Sequence, residues 1–283
     1  MQTGRPSETA RSIAHIRAKY SNRYPEILDD PLAARILCES VLNETVLDVG
    51  LSPEVVRHRG LYIIARARAA EDVIATAISA GTTQVVILGA GLDTTAYRNS
   101  HPAVRFFEVD HPDTQRWKRR QLRVSGITVP DTLRFVPVDF HQATLASELA
   151  HAGLDPTHST VFVLLGVVAY LARTAVDETV RYIASVPSSQ LVFDYFYPPA
   201  TEQLQTRADS VARLGEPWKT FFTASEVHEI LTRLGYHVQD RSASELLATH
   251  GVRTFARPVN SEPHLVQART GRDHFPKLHG QLR

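Results

Sequence analysis

The chain has 283 residues, 43% of them hydrophobic and 22% charged, with 31 Lys and Arg against 30 Asp and Glu. That length suits one large α/β domain or a core domain with an extension, the composition excludes a disordered or fibrous chain, and the balanced charge excludes the global basic field that drives nucleic-acid binding. A single cysteine, Cys38, excludes an internal disulfide and a multi-cysteine zinc site and fits a reducing, cytoplasmic setting.

The N-terminus lacks the basic-then-apolar layout of a signal peptide, and residues 1–82 are expected to form a helical cap ahead of the first strand. Ser7 can cap a helix running to about Tyr20, and Asp30-Pro31 pairs an N-cap with a favoured first helical residue for a helix bearing Leu32, Ile36 and Leu37. Ser52-Pro53 repeats that signal before a long helical segment closed by Gly81. From Gln84, apolar strands alternate with helices: Val85–Leu88, Arg105–Val109, Leu133–Val138, Thr160–Leu165 and Gln190–Tyr195, with helices near 113–125, 142–151 and 174–185. Such alternation predicts a parallel sheet with right-handed crossovers. Pro137 puts the third strand at an edge or makes that residue its end. Arg116, Lys118, Arg119, Arg120 and Arg123 read as a solvated helix face. The longest apolar run, Val161 to Ala172, is shorter than the ~20 residues of a membrane-spanning helix, so a soluble protein is expected. Thr223–Leu234 is an amphipathic helix, YHVQDRS and HLVQART read as an antiparallel pair finishing the sheet, and residues 271–283 read as a loose tail. The core domain is therefore expected over 83–270.

The informative stretch is QVVILGAGLDTTAYR, Gln84 to Arg98. A short run rich in β-branched residues suits a strand buried on both faces. Gly89-Ala90-Gly91 then opens a tight turn whose glycines leave room above the backbone, and Asp93, Thr94 and Thr95 offer the start of a helix, so the stretch reads as a nucleotide-cofactor turn. Glycine pairs also serve simply to reverse the chain. Asp110, 19 positions after Gly91 at the end of the second strand, falls where a carboxylate accepts the ribose hydroxyls of an adenosine. Glu108 shares its side of the strand and could take that role, or one of the two could merely cap the next helix. A dinucleotide turn would end in a third small residue, and here that position is Thr94. A cofactor without phosphate needs no complete anion nest, and Asp93 would repel a pyrophosphate while tolerating an ammonium.

GAGLDTTAYR, FFEVDHPDTQRWKRRQL, RFVPVDF and LLGVVAYL together resemble the leucine carboxyl methyltransferase-like family of S-adenosylmethionine-dependent methyltransferases, which includes polyketide O-methyltransferases. The likeness runs from DDPLAARIL near residue 30 to residue 238. It implies a Rossmann-like class I α/β fold, a seven-stranded, mostly parallel sheet with its last pair antiparallel, under an N-terminal helical cap. It also implies Gly89, Ala90 and Gly91 beneath S-adenosylmethionine, Asp110 on the ribose, Asp139 and Phe140 at the adenine, and Arg66 on the donor's carboxylate. Where the family block begins with an acidic residue beside the cofactor, this chain has Leu165. Tyr170 and Tyr195 are the candidates for orienting an acceptor, with Tyr197 as a further wall.

No histidine pair has metal spacing, and His101, His111 and His141 follow strand ends where ligands gather. Any of these three could serve as a base, though each also reads as a loop residue; with Leu165 in place of the acid and no obvious replacement for it, methyl transfer to a small polyketide- or fatty-acid-like carboxylate, already ionised at neutral pH, is the expected reaction. A cofactor-binding protein without transfer activity and an NAD-dependent oxidoreductase are the competing readings. The second lacks the third small residue and a Tyr-x-x-x-Lys relay.

Overall fold

Every residue of β1, Gln84–Leu88, is buried, because the strand lies inside the sheet and both of its faces carry helices. The computed structural model describes residues 7–39, 42–43, 45–139, 144–199, 202–254 and 262–270. The tail over 271–283, Phe140 and His141 lie outside the described residues. Two helices precede β1: α1, Glu8–Arg23, with the Ser7 hydroxyl accepting from the Ala10 amide, and α2, Pro53–Ser79, capped by Ser52. Then come β2 (Arg105–Asp110), α3 (Pro112–Val124), β3 (Leu133–Pro137), α4 (Leu145–His151), β4 (Thr160–Leu164), α5 (Arg173–Ser185) and β5 (Gln190–Tyr195). The chain continues through α6 (Glu202–Arg213), α7 (Ala224–Arg233), β6 (Tyr236–Ser242), α8 (Ala243–Ala248) and β7 (His264–Thr270).

The strands are ordered β3-β2-β1-β4-β5-β7-β6. The first five are parallel, and β7 runs antiparallel to both β5 and β6. This is the doubly wound α/β arrangement. Pro137 ends the edge strand β3, where a missing amide breaks no ladder. The sequence order reverses between β1 and β4, so the crevice for a ligand opens at the carboxyl ends of those two strands.

Strand alternation sorts the core onto two faces. Val85, Ile87, Phe106, Val161, Val163 and Val192 pack with residues of α1, α2 and α8. Val86, Leu88, Phe107, Phe162, Leu191 and Phe193 pack against the face that includes α5 and α7. No helix among the described residues is long and apolar enough to cross a membrane.

Two helices expected from the sequence are absent, for related reasons. After Pro31 there is only a 3-10 turn, Arg35–Leu37, ended by Cys38 at φ +56°. Asp30, expected as its cap, accepts the Leu32 amide at 3.2 Å but also holds Arg17 and Thr94. Ile36 and Leu37 are nonetheless fully buried, in a third cluster with Ala14, Leu92 and Leu122. Likewise the glycine turn leads into a 3-10 turn, Thr95–Arg98, rather than a helix. The Thr94 side chain that would start it donates to Asp30 instead, at 2.6 Å.

Helix α1 crosses α2 where Gly60 leaves room for the Tyr20 ring: a Cβ on Gly60 would lie 2.2 Å from the ring carbons. Gly60→Ala is therefore expected to push the cap helix off its seat and to destabilise the protein by about 1–3 kcal/mol. Urea unfolding of the two proteins measures this; an unchanged midpoint would mean that the α1–α2 packing is loose.

Candidate functional site

The carboxyl ends of β1, β2 and β4 open into a cavity of about 820 Å³, roofed by α1, α2 and the segment after α6. Gly89, Ala90, Gly91, Asp93, Asp110 and Asp139 line it, as do Arg66, Leu165 and Tyr170. Most of the residues selected from the sequence thus meet at one place.

The turn is held from both sides. Gly89 and Gly91 have φ of +63° and +45°, a region that side chains with a Cβ rarely adopt. A Cβ on Gly89 would lie 2.4 Å from Val167 Cγ2. That glycine therefore admits the loop after β4 as well as bordering the cavity, a reason the sequence did not supply. The Gly91 amide donates to Asp110 Oδ2 at 2.6 Å and the His111 amide to Asp110 Oδ1 at 2.7 Å. The Asp110 carboxylate is thereby fixed at the cavity edge with lone pairs remaining on each oxygen. Burial raises its pKa, against the opposing pull of those two amides.

Glu108 does not reach the cavity. It is buried against α3, accepts from Lys118 Nζ at 2.8 Å and takes a bond from the Tyr97 hydroxyl at 3.3 Å. Burial outweighs Lys118 and lifts its carboxyl to about 7. Lys118, read from the sequence as part of a solvated face, is the exception in that cluster. It is 1% exposed, and its ammonium also donates to the Asp93 carbonyl at 2.7 Å.

Tyr195 is a correction. The adjacent Asp194 faces α2, so period-two alternation turns Tyr195 to the other side of the sheet. Its ring is fully buried among Tyr197, Phe222 and His264, and its hydroxyl donates to Asp240 at 2.8 Å. Burial and that carboxylate raise its pKa. Tyr197 is likewise turned away, accepting from the Ala224 amide at 3.2 Å, whereas Phe196 between them lines the cavity. His111 borders the cavity and His101 is exposed outside it.

Several residues were not anticipated. Asp194 accepts from the Gly166 amide at 2.5 Å and pairs with Arg66, both partners buried. Arg66 also faces Gly166, where a Cβ would come within 3.3 Å of Nη2. A lone acid in the apolar strand QLVFDY was a signal, since a buried carboxylate requires a partner. Arg17 of α1 donates to Asp30 and to Asp93, both at 2.7 Å, and lies 3.4 Å from Glu71. Burial opposes the charge on Asp93, but Arg17, with Lys118 and the Thr95 amide, outweighs it and holds the carboxyl at about 2. Asp93 is thus committed to Arg17 rather than open to a ligand's ammonium. Glu216, after α6, accepts from the Ser7 hydroxyl at 2.9 Å and from the Glu8 and Thr9 amides at 3.0 and 3.3 Å, tying the start of α1 across the cavity.

The leucine carboxyl methyltransferase family model matches residues 10–184, more than half of the chain. YktD of Bacillus subtilis (strain 168), provisionally named an S-adenosyl-L-methionine-dependent methyltransferase, is 36% identical over 187 residues, 61% of this chain and 60% of its own length. The match thus spans about three-fifths of that relative. A Mycobacterium marinum protein of the same designation is 30% identical over 260 residues, 88% of this chain and 83% of that protein. Among solved structures, a protein from Thermobifida fusca, provisionally described as a methyltransferase, gives a TM-score of 0.64 at 16% identity, covering 95% of this chain and 96% of that one. A DUF574 family protein from Streptomyces avermitilis gives 0.61 at 18% identity, covering 93% and 97%. At those identities the likeness is one of fold: a Rossmann-like α/β sheet of the methyltransferase type.

The Arg17 pairing yields a prediction with a sign. Asp93 is depressed from an ordinary 3.8 to about 2, so the stability it contributes is present above about pH 4 and is lost as the pH falls toward 2. Arg17→Met, which leaves buried carboxylates without their partner, is expected to cost about 3–5 kcal/mol at neutral pH. It should also flatten the acid limb between pH 4 and 2. Denaturant unfolding at several pH values measures both.

Proposed function

This chain belongs to the leucine carboxyl methyltransferase family, and on that premise we propose that it transfers a methyl group from S-adenosyl-L-methionine to an oxygen of a small-molecule acceptor. The observation that carries this reading is the convergence of the glycine turn, Asp110, Asp139 and Arg66 on one cavity at the β1/β4 switch point.

The donor set fits that cofactor. Asp110, oriented by two backbone amides, offers acceptors suited to ribose hydroxyls. Arg66 engages Asp194 through Nη1, and a guanidinium has further donors with which to take a carboxylate. Asp139 would border the adenine. When bound, the sulfonium supplies an electrophilic methyl, so the chain's own contribution is to align the acceptor and exclude water. Helix α1, held across the cavity by Glu216, and Tyr170, which lines the same cavity as Leu165, are suited to those tasks.

An NAD-dependent oxidoreductase is less well supported. A pyrophosphate site needs a helix N-terminus after the glycine turn, whereas this turn leads into four residues of 3-10 helix beside the carboxylate of Asp93. The preference for a carboxylate acceptor follows from Leu165 standing in place of an acid without an obvious replacement. The cavity wall does hold one imidazole–carboxylate pair, His58 and Glu262, at 3.6 Å. Oxygen methylation is therefore retained as the proposal, and the carboxylate loses that ground.

Calorimetric titration with S-adenosylmethionine, S-adenosylhomocysteine and NAD tests the reading. Binding of the first two and not of NAD is expected; the reverse would overturn it. Asp110→Ala is expected to weaken S-adenosylhomocysteine binding by about ten- to a hundredfold, the loss of charge-assisted hydrogen bonds worth ~1.5–3 kcal/mol. Isotope-labelled methyl donor incubated with alcohols, phenols and acids, and read by mass spectrometry, separates a transferase from a protein that only binds the donor.

A further inference from the structure

Residues 216–222 form a strap over the cavity, fastened along its length. At one end the buried Glu216 carboxylate accepts from the Ser7 hydroxyl and from the Glu8 and Thr9 amides of α1. Farther along, the Lys219 and Thr220 amides donate to the Ala169 carbonyl at 2.6 and 3.2 Å, and the Thr220 hydroxyl donates to the Leu171 carbonyl at 2.6 Å. At the other end the Phe222 amide donates to the Phe196 carbonyl at 3.0 Å. The strap thus joins the start of α1 to the segments that follow β4 and β5. Trp218 lies between these fastenings, so its ring is carried on backbone that is held on both sides.

The Trp218 side chain is half-buried and lines the cavity. Phe196, the first residue beyond β5, stacks on it with ring centroids 4.5 Å apart and planes at 16°, and Phe221 meets it at 75°. Phe196 is only 9% exposed, so the surface that this aromatic group presents belongs mainly to the indole. The strap's neighbours Leu171, Val211 and Pro217 are apolar and line the same cavity. Of the charged residues on the strap, Glu216 is taken up by α1 and Lys219 is exposed. What this wall offers a ligand is therefore ring and hydrocarbon surface.

Its place in the fold separates it from the donor. In the methyltransferase reading, the ribose would lie at Asp110 after β2 and the donor's carboxylate at Arg66, beside the loop after β4. Strand β5 lies on the far side of β4 from β1 and β2, so Phe196 and Trp218 stand away from the ribose and adenine. The cavity, about 820 Å³, falls in the upper part of the ~300–1,000 Å³ span of small-molecule sites, with room for a second molecule beside the donor.

Resting on that reading, we infer that Trp218, backed by Phe196, is the specificity-determining residue of the acceptor subsite, and that the acceptor carries an aromatic ring system. A saturated body gains only the burial of its area against this wall. An aromatic one also gains from stacking or edge-on contact with the indole, worth about two- to tenfold in affinity. Trp218 holds the acceptor's body and takes no part in bond making, so the wall reads the ring and not the oxygen that receives the methyl group.

Pairs matched in carbon skeleton test this: 2-naphthol against decahydro-2-naphthol, and 2-naphthoate against decahydro-2-naphthoate. Each is titrated into the full chain saturated with S-adenosylhomocysteine. Saturation is measured first and separately, so a failure of the methyl-donor reading appears there, as absent S-adenosylhomocysteine binding, and not in the acceptor comparison. The saturated member of each pair is the more apolar, so burial alone favours it. The aromatic member of at least one pair is nevertheless expected to bind about two- to tenfold tighter. Trp218→Leu, which keeps an apolar side chain on the strap, should abolish that preference, and Trp218→Phe, which keeps a ring there, should retain it. Both variants should leave S-adenosylhomocysteine affinity unchanged. Equal or tighter binding of the saturated member in both pairs, no binding of any probe to the loaded protein, or a Trp218→Leu protein that keeps the aromatic preference overturns the inference.

Discussion

Arg17 is buried on the first helix, and a guanidinium in that position is tolerated only where carboxylates meet it with good geometry. Asp30 and Asp93 do so, each at 2.7 Å. One comes from the turn that follows α1 and the other from the glycine turn at the end of β1. A single side chain therefore fixes the cap, the connecting segment and the turn relative to one another. The same device recurs on α2, where Arg59 pairs with Asp48 and Arg66 with Asp194 of β5. These pairs determine where the helices stand, because apolar packing alone tolerates sliding whereas a paired buried charge does not tolerate being displaced from its partner.

This constraint also decides the chemistry of the cavity. Each arginine that positions a helix is a cation largely withdrawn from ligand binding, and the cavity retains an excess of carboxylates. Arg66 belongs to both accounts. Asp194 sets its place through Nη1 while accepting the Gly166 amide, so the guanidinium arrives at the end of β4 oriented and with donors left over. Gly89 works in the same economical way. Its missing side chain lets Val167 from the loop after β4 press onto the turn after β1, which joins the two loops at the switch point into one rigid floor.

Much of this was legible in the sequence, and the reasons divide cleanly. Strands buried on two faces give continuous apolar runs, so β1, β2, β4 and β5 could be read almost to the residue. The glycine turn with Asp110 showed where they led. Local signals misled where tertiary contacts claimed the same side chains. Asp30, Thr94 and Asp93 look like the start of helices, but Arg17 and the neighbouring turn use them, leaving only short 3-10 turns. The chemistry of Tyr195 suits a site residue, but alternation turns its ring away and sends Asp194 to the α2 face instead. On α2, apolar periodicity marks only the face packed on the core. The polar line His58, Tyr62 and Arg66 was present at the same spacing, but nothing local distinguishes a polar stripe facing a cavity from one facing solvent.

Leu165 now has a physical context. It directly follows β4, half-buried and packed against the cluster that includes α1 and α2, and the next residue, Gly166, lies against Arg66. An acid at 165 would place a second carboxylate near a guanidinium that Asp194 already neutralises, and would add negative charge to a cavity that has an excess. With leucine there, the only acid bonded to Arg66 among the described residues is Asp194, on the neighbouring strand and buried beneath it. The guanidinium can then meet a second carboxylate, one brought by a ligand, without competing with two of the protein's own. Leucine at 165 thus adds no charge beside a guanidinium that Asp194 of β5 already pairs.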